Sequence, residues 1–573
     1  MKKPYLIPLT IGLLILYKIV FIFFFSSLTQ YRYSACFLGQ ILLVLPAIYC
    51  SSVFFASNIG DSLHRKISLW LSKCDQKLFI FLLGSIAFIV TFSIYSILFH
   101  SSSTRIDLDE IGYLFQSNNF AMGSLYSFAP PKNLQKFFDT YHVVIHQGKI
   151  FGKYPFGHSL ILMLGILVGG VIIIPSLVAA LNVILNYYIA KEIYDRSVAV
   201  CSSLLCLFCP FFLGYSSTLL SEGSSLFFLS LFLLFFLKFI KNPKKIMYPL
   251  LCGFFLGMKF NTKPITVISL SLPFIVYSFY LLLHRKGRNY MKGFIMITLS
   301  FGALFSLFFL YNYSLTGDPL LMPYNIYAPY DRPGFGPEMR GAVKEWGKNQ
   351  DGHCLSEGLG MAYVDISYLN QWMGWGFPIS LVLVLTLFAK GRIGEWEWIL
   401  FSTIISLIAI LISYWGPSIR ELGPVHYFDT ILPLTLLSGR GINLSMKSGV
   451  EYKRRLMILF MIFTLIAGLY SLRVPIKKLY FLTSNYSKLK EEIHKKNIHR
   501  SLIFVQTDPN KPEGIPLVLY HNHPSFNNDI VYALDLGYEH NKELIKAYLD
   551  RNIYLWEKDS LQLMKYNFNL DYQ

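Results

Sequence analysis

The sequence is poor in charge. Only 15% of its 573 residues are Asp, Glu, Lys or Arg, and acid is the scarcer sign, 33 residues against 51 basic ones, for a formal net charge of +18. A soluble globular domain carries about a quarter of its residues as charge, so that class is excluded. Cysteine is also thin, eight in all, and most of them (Cys36, Cys50, Cys201, Cys206, Cys209 and Cys252) sit inside apolar runs. Cys206 and Cys209 have CxxC spacing in SLLCLFCPFF, yet no second pair or histidine lies near them, so the pair reads as packing rather than metal or redox chemistry. The start MKKPYLIPLTIGLLILY has the charged and apolar regions of a signal peptide but no small-residue cleavage site after them, and an uncleaved first helix is expected. No internal repeat or low-complexity tract stands out.

What the chain has in quantity is apolar sequence. Hydrophobic residues make up 54% and mean hydropathy is +0.46. The runs 5–27, 36–56, 78–100, 219–237, 264–283, 291–313, 397–415 and 455–473 are each long enough to cross a hydrocarbon core of roughly 30 Å as a helix. The fold class is therefore an all-α polytopic membrane protein. Its positive charge is dispersed over short loops instead of forming one basic face, so nucleic acid is not the partner it implies; membrane lipid is.

Lys and Arg accumulate on cytoplasmic loops, which orients the chain. The clusters are Lys2/Lys3, 64–73, 191–196, 238–245, 284–288, 390–392 and 451–455. All fall on one side if HSLILMLGILVGGVI (158–172), short, Gly-rich and close behind Pro155, lies on the outer face without crossing and the next crossing is 174–191. About 13 crossings result, with the N-terminus inside and the C-terminus outside, in a cytoplasmic (inner) membrane. The expected organisation is 1–77 as a transmembrane hairpin with its cytoplasmic loop, 78–473 as a membrane module with outer loops 101–173 and 314–376, and 474–573 as a small exported α/β domain. In the last, SLIFVQ (501–506), PLVLY (516–520), DIVYALDL (529–536) and IYLWEK (553–558) read as strands and ELIKAYLDRN (543–552) as a helix.

Just after the crossing 78–100 the chain reads RIDLDEIGYLFQ. Carboxylates at a bilayer surface are costly unless solvated, paired or used. Asp109 and Glu110 suit the N-terminus of a following helix, which does not exclude a functional role. Farther on come GKYPFGHSLILMLG, AKEIYDRSVAVCSSLL, GMKFNTKPIT and YNYSLTGDPLLMPYNIYAPYDRPGFG.

This order of motifs on one face resembles the C-type glycosyltransferase superfamily over residues 78–473, in particular bacterial galacturonosyl transferases of lipopolysaccharide core, lipid A aminoarabinose transferases and protein O-mannosyltransferases. The resemblance implies a hexosyl or pentosyl transferase that takes sugar from a polyprenyl-phosphate donor at the outer face and passes it to an envelope lipid, glycan or protein. It implies an acidic base in the first outer loop. Asp109 matches that position best, Glu110 would orient acceptor or base, and Asp107 competes with Asp109. A carboxylate in hydrogen-bond reach can take the acceptor's proton, and direct displacement inverts the anomeric centre because no enzyme nucleophile intervenes.

The leaving lipid phosphate needs cationic or hydrogen-bonding partners. Lys153 matches the basic residue before a Pro in the first loop of related transferases, with His158 beside it; Lys259, Lys263, Arg420 and His426 lie at the outer ends of later crossings. Snorkelling or interfacial anchoring is the alternative for each. Glu222 and His353 are further candidates, for sugar, metal or a plain interhelical or solvated role. Related sequences commonly carry Gly-Pro-Arg where this one reads GPVHYF; Val425 replaces that Arg, leaving Arg420 or His426 to meet the phosphate. No Asp-x-Asp pair has a convincing partner, so a divalent metal stays open and no other cofactor is implied. The aromatics Tyr324, Tyr327, Tyr330, Trp346, Trp372 and Trp375 of the second outer loop suit interface anchoring or sugar stacking. Two rival readings are a transporter or flippase of lipid-linked sugars, which calls for charge at mid-membrane depth, and a non-catalytic scaffold with an exported domain.

Overall fold

In lipid, a long apolar run can satisfy its backbone only within itself, as a helix, and the central runs of this chain do so. The computed structural model describes residues 75–98, 109–284, 288–329, 331–337, 352–372, 393–416, 418–420, 422–446, 488–506, 521–557 and 560–566, with short stretches and single residues elsewhere. The runs 5–27, 36–56 and 455–473 and the strand 516–520 lie largely outside these residues, as do Asp107, Tyr330, Trp346 and Trp375.

Helix α1 (Gln76–Leu98) leads to α2 (Asp109–Ala121), whose first turn holds Asp109 and Glu110. A short strand β1 (Ser127–Phe128) and the hairpin β2 (Val143–His146) and β3 (Lys149–Gly152) form a three-stranded sheet in the order β1-β3-β2. Helix α3 (Phe156–Leu167) follows. Its twelve residues span about 18 Å, short of a ~30 Å hydrocarbon core. Then come α4 (Ile173–Ile193), α5 (Arg196–Leu207), α6 (Pro210–Tyr215), α7 (Glu222–Lys241), α8 (Met247–Phe260), α9 (Pro264–His284) and α10 (Arg288–Thr316). Among the described residues, α1, α4, α7, α9 and α10 are long and apolar enough to cross a membrane.

The second outer segment contributes α11 (Pro323–Tyr327) and α12 (Leu355–Trp372), and α13 (Glu395–Leu411) precedes a two-residue hairpin, β4 (Ile419–Arg420) and β5 (Gly423–Pro424). A 3-10 turn, Val425–Thr430, opens into α14 (Ile431–Met446). The main apolar core lies among α1, α4, α5, α7 and α14, where Tyr95, Val183, Tyr187, Cys206, Cys209, Leu237 and Leu436 are buried.

The C-terminal part forms a sheet of β6 (Ser501–Val505), β7 (Ile530–Leu534), β8 (Asn552–Glu557) and β9 (Gln562–Lys565), in the order β7-β6-β8-β9. Strands β7 and β8 run parallel to β6, and β9 is antiparallel to β8. The intervening helix α15 is Tyr538–Ile545, so it starts before the 543–552 expected from sequence. Gly537, at φ +89°, turns the chain out of β7 and starts it early. After Ile545 the amides of Ala547, Tyr548 and Arg551 bond three residues back, tightening the chain into turns before β8.

Candidate active site

Three backbone features bring the site together. Helix α2 points its N-terminus at the hairpin, and Gly112 and Gly152 let the two backbones touch: a Cβ on Gly112 would stand 2.7 Å from the His142 carbonyl oxygen, and one on Gly152 would stand 2.4 Å from that of Gly112. His142 itself has φ +61°, a left-handed conformation uncommon outside glycine. The β4–β5 hairpin, pairing Arg420 with Gly423, turns Arg420 back toward the same place.

Asp109 is the centre. Its side chain is 25% exposed, and Oδ1 lies 3.0 Å from His142 Nε2. The Tyr154 hydroxyl donates to the same carboxylate, and the charges of Lys153 and Arg420 act on it. Burial acts to raise the Asp109 pKa, but His142, Lys153, Arg420 and the Tyr154 hydrogen bond outweigh it and hold the carboxyl below the usual range. The α2 N-terminus adds a favourable dipole for the anion. Burial pushes His142 down to about 3, against Asp109 and with Lys153 and Arg420, so the imidazole is neutral and donates its Nε2–H to Asp109.

Lys153 is buried. Its ammonium faces the rings of Tyr154, Tyr324 and Tyr327 at 4.9, 4.5 and 4.5 Å, a cation–π cage. Asp331 accepts hydrogen bonds from the Tyr324 and Tyr414 hydroxyls, both at 2.5 Å, tying the second outer segment to the end of α13. Tyr327 also approaches the His142 ring, at 5.1 Å.

The other sequence candidates have structural partners. Glu110 is fully buried and its Oε1 accepts the Leu219 N–H at 2.8 Å. His158 donates from Nε2 to the Leu219 carbonyl at 2.8 Å and accepts at Nδ1 from the Ser224 hydroxyl at 2.9 Å. Lys259, with no exposed surface, pairs with Asp429 and donates to Ser225 and Thr266. Lys263 pairs with Glu222, whose Oε2 is buried without a hydrogen bond. His353 contacts the Ile412 carbonyl at 2.9 Å and Glu357 at 3.3 Å.

His426 packs edge-on against Tyr414 at 5.3 Å; burial first, then Lys263 and Arg420, push it to about 3, so it carries no charge, whereas Arg420 is exposed. Val425 is buried, its N–H bonded to the Ser418 carbonyl. Beyond β4, a cavity of about 340 Å³ is lined by Glu357, Gly360, Met361, Val364, Asp365 and Ile419, and burial pushes Asp365 up to about 7 despite hydrogen bonds from Ser418. Among the described residues no group of three or more His, Cys, Asp or Glu is arranged to hold a metal ion.

Sequence reasoning missed His142, Asp331 and Tyr414. His142 and Asp331 lie within the two large outer segments, but nothing in the local pattern marks which His or Asp turns inward. Tyr154 was missed as well, although it stands beside Lys153 inside the quoted GKYPFGH, where that adjacency was the signal.

Residues 155–311, from the start of α3 into α10, match the family model of dolichyl-phosphate-mannose-protein mannosyltransferases. Among solved structures, ArnT from Cupriavidus metallidurans bound to undecaprenyl phosphate is similar with a TM-score of 0.52 at 12% identity, over 85% of this chain and 94% of that one. The membrane module has the C-type glycosyltransferase fold. The Archaeoglobus fulgidus oligosaccharyltransferase, another protein of this fold, is similar with a TM-score of 0.50 at 10% identity, over 84% of this chain and 69% of that one. No curated protein sequence matches significantly. The resemblance read from the order of the sequence motifs thus meets the C-type glycosyltransferase fold in three dimensions, and the chain is an integral membrane protein.

Proposed function

We propose that this protein is an inverting glycosyltransferase that moves a sugar from a polyprenyl-phosphate donor to an envelope lipid, glycan or protein at the outer face of the membrane. The observation that carries this reading is a partly open carboxylate, Asp109, held by His142 and lying within the electrostatic reach of two cations, Lys153 and Arg420, contributed by separate parts of the chain. A phosphate seated between the cations would leave the anomeric carbon of its sugar beside Asp109. Asp109 then takes the acceptor hydroxyl's proton as the hydroxyl attacks that carbon, and the bond to the phosphate oxygen breaks. The negative charge left on the lipid phosphate is met by Lys153 and Arg420. A bound phosphate also shares the charges that depress Asp109, so donor arrival makes it a stronger base.

His142 and Tyr154 hold the Asp109 carboxylate; Glu110 and His158 hold the turn before α7. Lys259, Lys263, Glu222 and Asp429 sit at the ends of α8, α9, α7 and α14. Paired charges at helix ends support the enzyme over a transporter, which requires charge at mid-membrane depth. In this reading residues 78–473 are the catalytic module, about 13 crossings leave the N-terminus inside, and 474–573 is exported beside the first outer loop.

The test is sugar transfer in membranes supplied with polyprenyl-phosphate sugars. Asp109→Asn should abolish transfer while leaving expression intact; full activity in that variant removes Asp109 from the mechanism, and an inactive wild type with every lipid donor favours the scaffold. Comparing envelope glycans and lipid-linked sugars with and without the protein names donor and acceptor.

A further inference from the structure

The C-terminal sheet rests on the first outer loop. Leu134, Phe137 and Phe138, in and around the 3-10 turn Gln135–Phe137, are buried against Leu502, Phe504, Val531, Leu544, Ile545 and Ile553. Phe137 meets Phe504 at 6.3 Å, and Lys136 pairs with Glu543 at 3.0 Å on the surface.

A second, smaller apolar cluster joins α2 to the hairpin beside the segments that carry Asp109 and His142. It consists of Ile111 and Phe115 of α2 with Val143 and Ile150 of the hairpin, flanked by Tyr141 and Ile145. Ile111 is two residues from Asp109, and Val143 follows His142. Among the described residues, one side chain belongs to both clusters, and it comes from the C-terminal sheet's own loop: Phe526.

Phe526 is held in place with care. Its ring packs against that of Phe138, tilted by 47° with centroids 4.5 Å apart. Its N–H bonds to the His523 carbonyl at 2.8 Å, and its carbonyl accepts from the Tyr548 hydroxyl at 3.1 Å. Its φ is +52°, a region a bulky L residue adopts only when its surroundings impose it. His142, on the other side of the cluster, is likewise left-handed at +61°. A wedge with fixed backbone therefore presses on the two segments that carry Asp109 and His142.

We propose that Phe526 is a positioning residue through which the C-terminal domain sets the geometry of the Asp109–His142 pair. It acts through the apolar cluster: it seats Ile111, Phe115 and Val143, and they aim the Asp109 carboxylate and the His142 imidazole that orients it. This inference rests on the reading of Asp109 as the base.

The experiment uses the full chain in membranes, as Phe526→Ala and Phe526→Leu. A misplaced base should lower kcat about 10- to 100-fold in Phe526→Ala while KM for the polyprenyl-phosphate sugar stays within about twofold. Phe526→Leu, which refills most of the volume, should recover most of the rate. Hydrogen exchange should show faster exchange at 111–116 in Phe526→Ala with β6 and β8 still protected. Unchanged kcat, or a loss confined to KM, overturns the proposal. So does unchanged exchange at 111–116, an outcome that can be read even if the wild type transfers no sugar, in which case the functional reading fails separately. Loss of protection throughout β6 and β8 would make the residue a fold determinant only, and would also overturn it.

Discussion

His142 Nε2 stands 3.0 Å from Asp109 Oδ1, joining the first turn of α2 to the start of the β2–β3 hairpin across 33 residues of sequence. Because burial keeps the imidazole neutral, the contact is a directed hydrogen bond, not a salt bridge, and its role is to orient the carboxylate. Removing it in His142→Ala should lower kcat for sugar transfer about 10- to 100-fold with little change in donor KM. His142→Gln, which can still donate, should keep more of the rate. Equal rates in both variants and wild type would dismiss the orienting role.

The same pair sets a pH dependence. His142 titrates near 3 in the folded protein against its usual 6.5, so the unfolded chain binds a proton that the folded one refuses. Its contribution to stability is complete above pH 6.5 and declines as pH falls from 6.5 toward 3. Asp109, also depressed, adds to the loss below its ordinary 3.8. Melting temperatures measured from pH 8 to 4 should fall more gently in His142→Gln than in wild type; parallel curves would refute this assignment.

Asp365 has the opposite sign. Its folded-state pKa of about 7 lies above the ordinary 3.8, so between those values the folded chain keeps a proton the unfolded chain has released. The burial is tolerated below pH 3.8, becomes steadily more destabilising as pH rises toward 7, and its cost levels off above that. Asp365→Asn keeps an acceptor for Ser418 and carries no charge. Its advantage over wild type in melting temperature should therefore be largest at pH 8, smaller at pH 5, and vanish toward pH 4. A variant no more stable than wild type at pH 8 would count against a raised pKa at Asp365.

The contact of α2 with the hairpin leaves no room for a methyl group. In Gly152→Ala the new Cβ would meet the Gly112 carbonyl oxygen at 2.4 Å, a backbone atom that cannot swing aside. A loss of about 1–3 kcal/mol is expected, together with reduced transfer, since the same shift separates Asp109 from His142. Unfolding measurements and turnover in one preparation test both, and a stable, fully active variant would show that the two backbones have slack.

Lys259 and Asp429 form a pair with 0% and 3% of their side-chain surface exposed. Lys259→Met alone strands a buried carboxylate and should cost about 3–5 kcal/mol, whereas Lys259→Met with Asp429→Leu should recover most of it. Detergent-solubilised yield and melting temperature give the comparison. A double variant as damaged as the single one would point to a requirement for these charges beyond mutual compensation.

Much of the membrane module was legible because hydrophobic runs bounded by basic clusters leave the backbone few alternatives. The runs at 78–100, 174–191, 219–237, 264–283 and 291–313 correspond to α1, α4, α7, α9 and α10 within a few residues at each end. The start of α2 at Asp109 was readable from its first-turn acids. Less legible was which polar residues face one another. The charges of Lys153, the cation the sequence favoured, and of Arg420 act on Asp109, while Lys259, Lys263, Glu222 and His353 turn to partners of their own. Helix α15 was misplaced because a glycine with positive φ, not the apolar spacing, set its start.

Composition determined that this chain lives in a membrane, since transfer free energy and charge asymmetry act on local sequence alone, and the order of its motifs carried the resemblance to the C-type glycosyltransferases. The pairing of Asp109 with His142 and Tyr154 under the charges of Lys153 and Arg420, and the packing of Phe526 against the cluster of Ile111, Phe115, Val143 and Ile150, were decided only by tertiary structure. Hydrogen bonds, charge interactions and ring contacts depend on distances of a few ångströms between residues far apart in the chain, and no local pattern encodes those distances.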